Sequence, residues 1–283
     1  MKKSVSILLC LAACTAAFTG CGDSSSGAIT VISREEGSGT RGAFVELMGI
    51  LETDEDGNEK DLTTTSAETS QSTSVVISTV QGNKNAIGYI SLGSLSDDVK
   101  AVKVDGVEAT VDNVTNGSYK IARPFVICTQ AEVSDAAQDF MNFILSDDGQ
   151  AIIGEDYISV SSGTYTPSGA SGKVTVAGST SVGPVMEQIA DAYMEENPNV
   201  TVEIQQTGSG AGITSTIEGA CDIGMSSREL KQEEIDKGLT ATQIAMDGIA
   251  VIVNNENEVD DLTSEQIRSI YVGEITDWDE ING

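Results

Sequence analysis

The sequence contains no histidine among its 283 residues. This absence excludes the Ser–His–Asp and Cys–His arrangements of nucleophilic enzymes, and it excludes zinc sites of the His/Cys type. No Gly-rich loop carries the lysine that a P-loop nucleotide site needs directly after its last glycine. Paired carboxylates abound, but so acidic a chain carries them on solvated faces, so a two-carboxylate enzyme is the weaker alternative. We therefore predict a protein that is not an enzyme and that holds no cofactor and no metal.

Basic residues are scarce as well. The chain has 15 Lys and Arg against 44 Asp and Glu, and its formal net charge is −29. Binding to nucleic acid depends on basic side chains that neutralise phosphates, so we predict no nucleic-acid partner. The net charge would also repel an anionic ligand, unless local backbone dipoles held it. A solvated acidic surface protein without an anion site is the alternative that charge alone allows.

Long apolar runs are missing except near the N-terminus. Residues 1–20 combine a basic start with an apolar stretch at 5–17, which is shorter than the ~20 residues that span a bilayer. This pattern predicts a secretory signal peptide. Its end resembles a bacterial lipobox, although Phe18 replaces the usual aliphatic residue, so Cys21 is predicted to carry lipid and residues 21–27 to form a tether. An ordinary signal peptide followed by a chance cysteine is the alternative.

Cysteines are too few for a disulfide framework. Of the five, two lie in the predicted signal peptide and Cys21 would be lipidated, which leaves Cys128 and Cys221. Each lies in an apolar stretch, so we predict two buried free thiols.

The rest of the chain is divided by two Gly/Ser-rich segments, 22–27 and 161–172, into stretches 28–160 and 173–283. Each stretch alternates short β-branched runs with helical periodicity, which is typical of α/β folds. The predicted elements are strands at 29–32, 174–176, 200–204 and 249–253, and helices near 43–50, 185–193 and 263–271 and after the N-cap residue Ser134.

Two of these segments carry a more specific prediction. The nearly continuous apolar run at 249–253 is typical of a buried parallel strand. Residues 52–72 are acidic and then Ser/Thr-rich, and they are predicted to form an exposed excursion with some helix and no function.

Three Gly/Ser/Thr loops, at 37–40, 178–181 and 208–212, each follow a predicted strand and precede a predicted helix. A fourth polar pair, Ser226 and Ser227, follows the short run 222–225. A helix N-terminus presents unpaired N–H groups and the positive end of its dipole, and glycine lets an anion approach the backbone closely. One such loop is common in any protein, but together these loops could surround a single tetrahedral anion.

Arg34 lies between the first predicted strand and the first of these loops. Its guanidinium is always charged and matches two oxyanion oxygens in a fork. The pattern therefore favours Arg34 as an anion ligand, and a surface arginine paired with Glu35 or Glu36 is the alternative.

These motifs resemble the substrate-binding proteins of bacterial phosphate ABC transporters, in their Gram-positive lipoprotein form. The resemblance covers nearly all of the chain from about residue 28, and its most specific parts are residues 32–44, 82–91, 177–184, 222–230 and 270–278. It implies a two-lobed periplasmic-binding-protein-like α/β fold of type II that closes about a hinge on binding. It also implies inorganic phosphate as ligand, an ABC transporter permease as partner, a membrane contact through the lipid, and a monomer.

The two halves stand in exchanged order relative to the family, because the stretch that resembles 173–283 normally comes first. A circular permutation joined at 161–172 would explain this order, and a truncated or misassembled tandem gene is the rival explanation. The permuted organisation would be residues 28–97 and 248–283 in lobe two, and residues 98–247, including the linker 161–172, in lobe one.

The resemblance also implies a set of phosphate ligands. The family's contacts fall on Arg34, Ser38, Gly39, Thr40, Thr180, Ser181 and Ser209, with Ser227 completing the set. Glu36 matches a carboxylate that is salt-linked to the arginine in relatives. Some relatives have an aspartate where Ser227 stands, and that aspartate accepts a hydrogen bond from a protonated phosphate oxygen and so helps to exclude sulfate. Sulfate, molybdate or another oxyanion is therefore the closest alternative ligand, and a surface anion sensor without transport is the alternative function.

Overall fold

The computed structural model describes residues 27–54 and 59–281. The predicted signal peptide, the lipidation at Cys21 and most of the tether 21–27 lie outside these residues. Within the described ranges, no helix has both the length and the apolar character that a bilayer crossing requires.

Short strands and helices alternate along the chain. The strands are β1 (Thr30–Arg34), β2 (Leu51–Thr53), β3 (Glu59–Asp61), β4 (Glu68–Ser70), β5 (Ala86–Ser91), β6 (Lys100–Ala101), β7 (Lys103–Val104), β8 (Ala122–Thr129), β9 (Ile158–Ser159), β10 (Gly172–Gly178), β11 (Val200–Gln206), β12 (Ile223–Ser226), β13 (Thr240–Val253) and β14 (Asp261–Leu262). The helices are α1 (Gly39–Leu47), α2 (Thr73–Gln81), α3 (Val111–Thr115), α4 (Asp135–Ile144), α5 (Asp147–Asp156), α6 (Gly183–Glu196), α7 (Ser209–Ile217), α8 (Gln232–Ile235) and α9 (Ser264–Val272).

A mixed sheet runs through the molecule in the order β11-β10-β12-β8-β13-β5-β1-β4. Strand β13 is shared, because its first part pairs with β8 and its last five residues pair with β5. Both pairings are antiparallel, so the prediction of a parallel strand at 249–253 was wrong. The run is apolar because residues 249–253 are all buried, and burial of this kind does not depend on strand direction.

Two large apolar clusters pack against this sheet. One contains Phe125, Val176 and Ile244, and the other contains Val31, Phe44 and Ile249. They correspond to two α/β bodies, as the resemblance implied. We call the bodies lobe one and lobe two.

The predicted lobe boundary at residue 98 differs from the packing. Val102, Val114 and Ile121 all lie in the lobe two cluster with Val31 and Ile249. The chain therefore crosses into lobe one near residue 122, where β8 begins. Periodicity identifies the buried face of an element but not the body against which that face packs, so the sequence did not reveal this assignment.

The segment 52–72 differs from its prediction, since its described residues contain no helix. Strands β2 and β3 form an antiparallel hairpin, and β4 pairs in parallel with β1. Its Ser/Thr-rich part adds an edge strand beside β1, in register from Ile32↔Glu68 to Arg34↔Ser70. Thr and Ser have no strong helical preference, and threonine suits a pleated edge. As a result Ser70 is buried beside Arg34.

The linker 161–172 is held on the surface of lobe one. Asp139 of α4 accepts hydrogen bonds from the Tyr165 hydroxyl at 2.7 Å and from the Ser168 N–H at 3.2 Å. Burial tends to raise the pKa of Asp139, but the hydrogen bonds from Tyr165, Ser168 and Tyr193 outweigh it and lower that pKa overall. The segment is rich in Gly and Ser, yet its one tyrosine, Tyr165, docks it on α4.

Several local predictions are confirmed. Ser134 caps α4 by accepting from the Ala137 N–H, and the helix predicted at 263–271 is α9, Ser264–Val272. The helix predicted near 43–50 begins earlier, because Ser38 caps it and Gly39 starts it. Cys128 and Cys221 are free and buried, and burial raises the pKa of the Cys128 thiol to about 11.

Residues near the two ends of the described chain lie side by side. Ala28 forms an antiparallel bridge with Asp277, and the Trp278 N–H donates to the Gly27 carbonyl at 2.8 Å. The exchanged order of the two halves stays a prediction.

Candidate functional site

Four helix N-termini converge between the two lobes. Helices α1 and α2 begin at Gly39 and Thr73 in lobe two, and α7 begins at Ser209 in lobe one. Thr180 and Ser181 lie in the turn just before α6. Each N-terminus directs the positive end of its helix dipole toward the same space, and at the start of α2 the Thr73 N–H donates to Thr180 Oγ1 at 3.4 Å.

Six buried hydroxyl groups meet there and form what we call the hydroxyl cluster. Its members are Thr40, Thr73, Thr180, Ser181, Ser209 and Ser227, and all are buried. Thr40 Oγ1 lies 2.9 Å from Ser181 Oγ and 3.5 Å from Ser227 Oγ. Ser209 Oγ lies 3.3 Å from Ser227 Oγ, and Thr73 Oγ1 lies 3.3 Å from Ser181 Oγ. The cluster therefore joins lobe one to lobe two through hydroxyls that can each donate or accept.

Arg34 supplies the positive charge of this region. Arg34 is the last residue of β1, and its side chain is only 3% exposed. Its Nη2 donates to Thr180 Oγ1 at 3.1 Å. Nε and Nη2 also donate to the two oxygens of Glu35, at 3.0 and 2.9 Å. Glu36 was predicted as the salt-linked carboxylate, but Glu36 is exposed and Glu35 takes that position. Glu36 lies one residue further into an exposed turn that continues through Gly37.

Aromatic packing holds the Arg34 end of β1. The Tyr89 hydroxyl accepts from the Arg34 backbone N–H at 3.2 Å and is hydrogen-bonded to Ser33 Oγ at 3.0 Å. The Tyr89 ring stacks on Phe44 of α1 with centroids 4.0 Å apart. Burial raises the pKa of Tyr89, so the hydroxyl stays protonated. Strand β1 and helix α1 are thus held together where they carry Arg34 and Thr40.

Gly39 lies at a close approach between the lobes. A Cβ atom at this position would lie 2.6 Å from Ser209 Oγ and 2.7 Å from Ser227 Oγ. Nearby, the Gly210 N–H of lobe one donates to the Gly37 carbonyl of lobe two at 2.9 Å. The absence of a side chain at Gly39 is what lets hydroxyls from lobe one reach the start of α1.

The structure brings together most of the predicted site residues. Seven of the eight predicted ligands lie in or against the hydroxyl cluster: Arg34, Gly39, Thr40, Thr180, Ser181, Ser209 and Ser227. The eighth, Ser38, is buried beside them, but its hydroxyl caps α1 by accepting from the Arg41 N–H at 3.3 Å.

Thr73 was missed by the sequence analysis. Its hydroxyl lies 3.4 Å from Thr180 Oγ1, although 107 positions separate the two residues. A signal was present, since Ser72 precedes an apolar run and caps α2 as an N-cap serine does. The signal was lost because the whole segment 52–72 was assigned to an exposed excursion.

A cleft of about 890 Å³ opens beside the cluster, lined by residues of both lobes. Its basic side chains are all paired with carboxylates: Arg41 with Asp61, Arg123 with Asp247, Arg228 with Glu234 and Lys231 with Glu59. The cleft therefore carries little unpaired positive charge. Arg34 is likewise paired with Glu35, so it is the converging helix N-termini that make the hydroxyl cluster the better site for an anion.

The chain is similar to phosphate-binding proteins over most of its length. A family model described as a PBP superfamily domain matches residues 13–148 and 163–283. Phosphate-binding protein PstS 2 of Streptococcus agalactiae serotype V is 50% identical over 262 residues, which cover 92% of this chain and 89% of the relative. PstS 2 of Streptococcus pneumoniae serotype 4 is also 50% identical, over 91% of this chain and 89% of its own.

A solved structure agrees with these matches. The crystal structure of a phosphate ABC transporter phosphate-binding protein from Streptococcus pneumoniae TIGR4 is 49% identical, with a TM-score of 0.70, and it covers 90% of this chain and 99% of its own. With the two-lobed mixed sheet and the convergent helix N-termini, these similarities identify the family. The chain belongs to the PBP superfamily and, within it, to the substrate-binding proteins of phosphate ABC transporters.

Proposed function

We propose that this protein is a non-enzymatic binding protein that captures inorganic phosphate outside the cytoplasm for an ABC importer. The observation that carries the proposal is the meeting of Arg34 and six buried hydroxyls at four helix N-termini from both lobes. The names of the relatives point to the same ligand. They also favour phosphate over sulfate or molybdate, and transport over a sensor function.

The proposed ligands are Arg34, Ser38, Gly39, Thr40, Thr180, Ser181, Ser209 and Ser227, to which we add Thr73. When phosphate binds, the hydrogen bonds between hydroxyls of the cluster would be replaced by hydrogen bonds to the four phosphate oxygens. Hydroxyls and N–H groups donate to the oxygens, and the helix dipoles favour the negative charge locally. This local field explains how a chain of net charge −29 could hold an anion.

Entry of the anion requires the lobes to separate, because every member of the hydroxyl cluster is buried. Strand β13 passes between the lobes, and we propose that they open about this crossing. Closure would then bring Gly39 and Thr40 of α1 against Ser209 and Ser227, and so complete the phosphate shell.

The cellular setting follows from the sequence and the relatives. We propose that residues 1–20 are removed as a signal peptide and that Cys21 carries lipid, which would anchor the protein to the outer face of the membrane. Its partner would be the permease of an ABC transporter, and the protein would act as a monomer.

We expect the purified protein to bind inorganic phosphate with a dissociation constant on the order of micromolar or tighter, or about −8 kcal/mol. Titration calorimetry at neutral pH measures this directly, with sulfate and molybdate titrated in parallel. The absence of both heat and thermal stabilisation at millimolar phosphate would contradict the proposal. Sulfate binding as tight as phosphate binding would instead show that the protein binds tetrahedral oxyanions without selecting phosphate. We would attribute this loss of selectivity to Ser227, whose hydroxyl can donate to sulfate, whereas the aspartate of some relatives only accepts.

Arg34→Lys is expected to weaken phosphate binding by about tenfold or more, or about 1.4 kcal/mol. Lysine keeps the charge but loses the planar guanidinium, which donates to Thr180 and Glu35 and would also donate to the anion. Arg228→Lys is the matched control, because Arg228 pairs with Glu234 at 2.8 Å outside the hydroxyl cluster. Calorimetry on both variants decides the assignment, and equal effects would show that Arg34 is not the anion ligand.

A further inference from the structure

A buried ion pair lies directly behind the hydroxyl cluster. Arg123 of β8 and Asp247 of β13 are cross-strand partners in the antiparallel ladder. Arg123 Nη2 and Nε donate to Asp247 Oδ2 at 3.0 and 3.3 Å, and the two side chains are 2% and 1% exposed. A buried pair of this kind is often no more stabilising than apolar residues of the same volume, so its presence points to another role.

The pair is bonded on both sides to elements that matter for binding. Arg123 Nη1 donates to the Ser227 carbonyl at 3.1 Å, just beyond the end of β12. Asp247 Oδ1 accepts from Ser91 Oγ, the last residue of β5, at 3.0 Å. Asp247 itself lies where β13 changes its partner from β8 to β5. The ion pair thus connects a member of the hydroxyl cluster to the strand crossing between the lobes.

The backbone at Ser227 is oriented by this contact. Its N–H donates to Ser209 Oγ at 3.2 Å, and its own Oγ lies within 3.5 Å of Ser209 and Thr40. With the carbonyl held by Arg123, both ends of the residue are fixed. Burial lowers the pKa of Arg123, and Asp247 opposes that shift. Arginine stays protonated in proteins, so the contact to the Ser227 carbonyl remains charge-assisted.

We propose that Arg123, held by Asp247, is a positioning residue for anion binding: it fixes the Ser227 backbone against the strand crossing without contacting the anion. This inference rests on the proposed phosphate function. It assigns phosphate affinity to an ion pair that lies behind the binding surface.

The sharpest test is Arg123→Lys. A lysine can keep the ion pair with Asp247, but a single ammonium does not reproduce the separate donor to the Ser227 carbonyl. We expect thermal stability close to that of the parent protein and phosphate binding weaker by about tenfold. We also expect faster hydrogen exchange of the amides at 226–228 in phosphate-free protein. Unchanged affinity together with unchanged exchange would overturn the proposal.

A second comparison separates positioning from stability. The double variant Arg123→Met with Asp247→Leu removes both charges, so no buried charge is left unpaired. We expect it to unfold at a higher temperature than Arg123→Met alone and yet to bind phosphate as weakly. If the double variant recovered both thermal stability and phosphate affinity, the ion pair would have only a structural role, and the proposal would be wrong.

Asp139→Asn supplies the control. Asp139 is a buried carboxylate that accepts hydrogen bonds from Tyr165 and Tyr193, and it lies outside the hydroxyl cluster. It is expected to lower thermal stability and leave phosphate affinity unchanged. A parent protein that binds no phosphate would contradict the proposed function alone. Hydrogen exchange at 226–228 would still test the role of Arg123 in that case.

Discussion

Gly39→Ala is expected to lower phosphate affinity by about a hundredfold or more while the protein stays folded. The added methyl group would lie 2.6 and 2.7 Å from the Ser209 and Ser227 hydroxyl oxygens and 3.1 Å from the Ser227 carbonyl carbon. The hydroxyls must rotate away or the lobes must stay apart. Hydrogen bonds to a charged group contribute about 1.5–3 kcal/mol each, so loss of two accounts for a change of this size. Alanine is a better helix former than glycine, so α1 should not be weakened.

Gly37→Ala is the matched control two residues away. A Cβ at Gly37 would meet no heavy atom within 4 Å, so this variant should bind like the parent protein. Calorimetry gives both affinities, and circular dichroism verifies the fold. Parent-like binding by Gly39→Ala would mean that α1 and lobe one do not close on the anion as proposed.

Deletion of residues 248–283 is expected to abolish phosphate binding and to unfold lobe two. The deletion removes the part of β13 that pairs with β5 and all of α9. It also removes fully buried side chains, among them Ile249, Ile267 and Tyr271. Burial of one Ile or Val contributes ~1.5–3 kcal/mol, and a domain is stable by only ~5–15 kcal/mol, so the loss exceeds the margin. Limited proteolysis should leave a protected core near 122–247, and calorimetry should detect no binding.

Cleavage within the linker 161–172 tests the same interleaved arrangement without deleting any element. Strand β8 from the first half lies between β12 and β13 of the second half. The cleaved halves should therefore elute together in gel filtration and still bind phosphate. Halves that separate and remain individually folded would rule out lobes built from interleaved segments, and with them the permuted fold.

Local chemistry was enough to predict several parts of this protein from sequence. Ser134 marked a helix start because its side chain satisfies a backbone N–H group that the helix leaves unpaired. The Gly/Ser/Thr loops before α1, α6 and α7 predicted convergent anion-binding groups for the same reason. Arg34 at the end of β1 followed from its place between a strand and such a loop. These features depend on neighbours within a few residues, so a linear pattern records them.

Only the tertiary structure decided which distant groups meet. Thr73 joins Thr180 across 107 positions, and Glu35 rather than Glu36 pairs with Arg34. The sequence also did not predict that residues 99–121 belong to lobe two or that strand 249–253 is antiparallel to its neighbours. An apolar run records that a strand is buried, whereas its direction and partners depend on long-range packing. The Arg123–Asp247 pair is the clearest case, because two charges 124 positions apart are stable in the interior only as partners across one sheet.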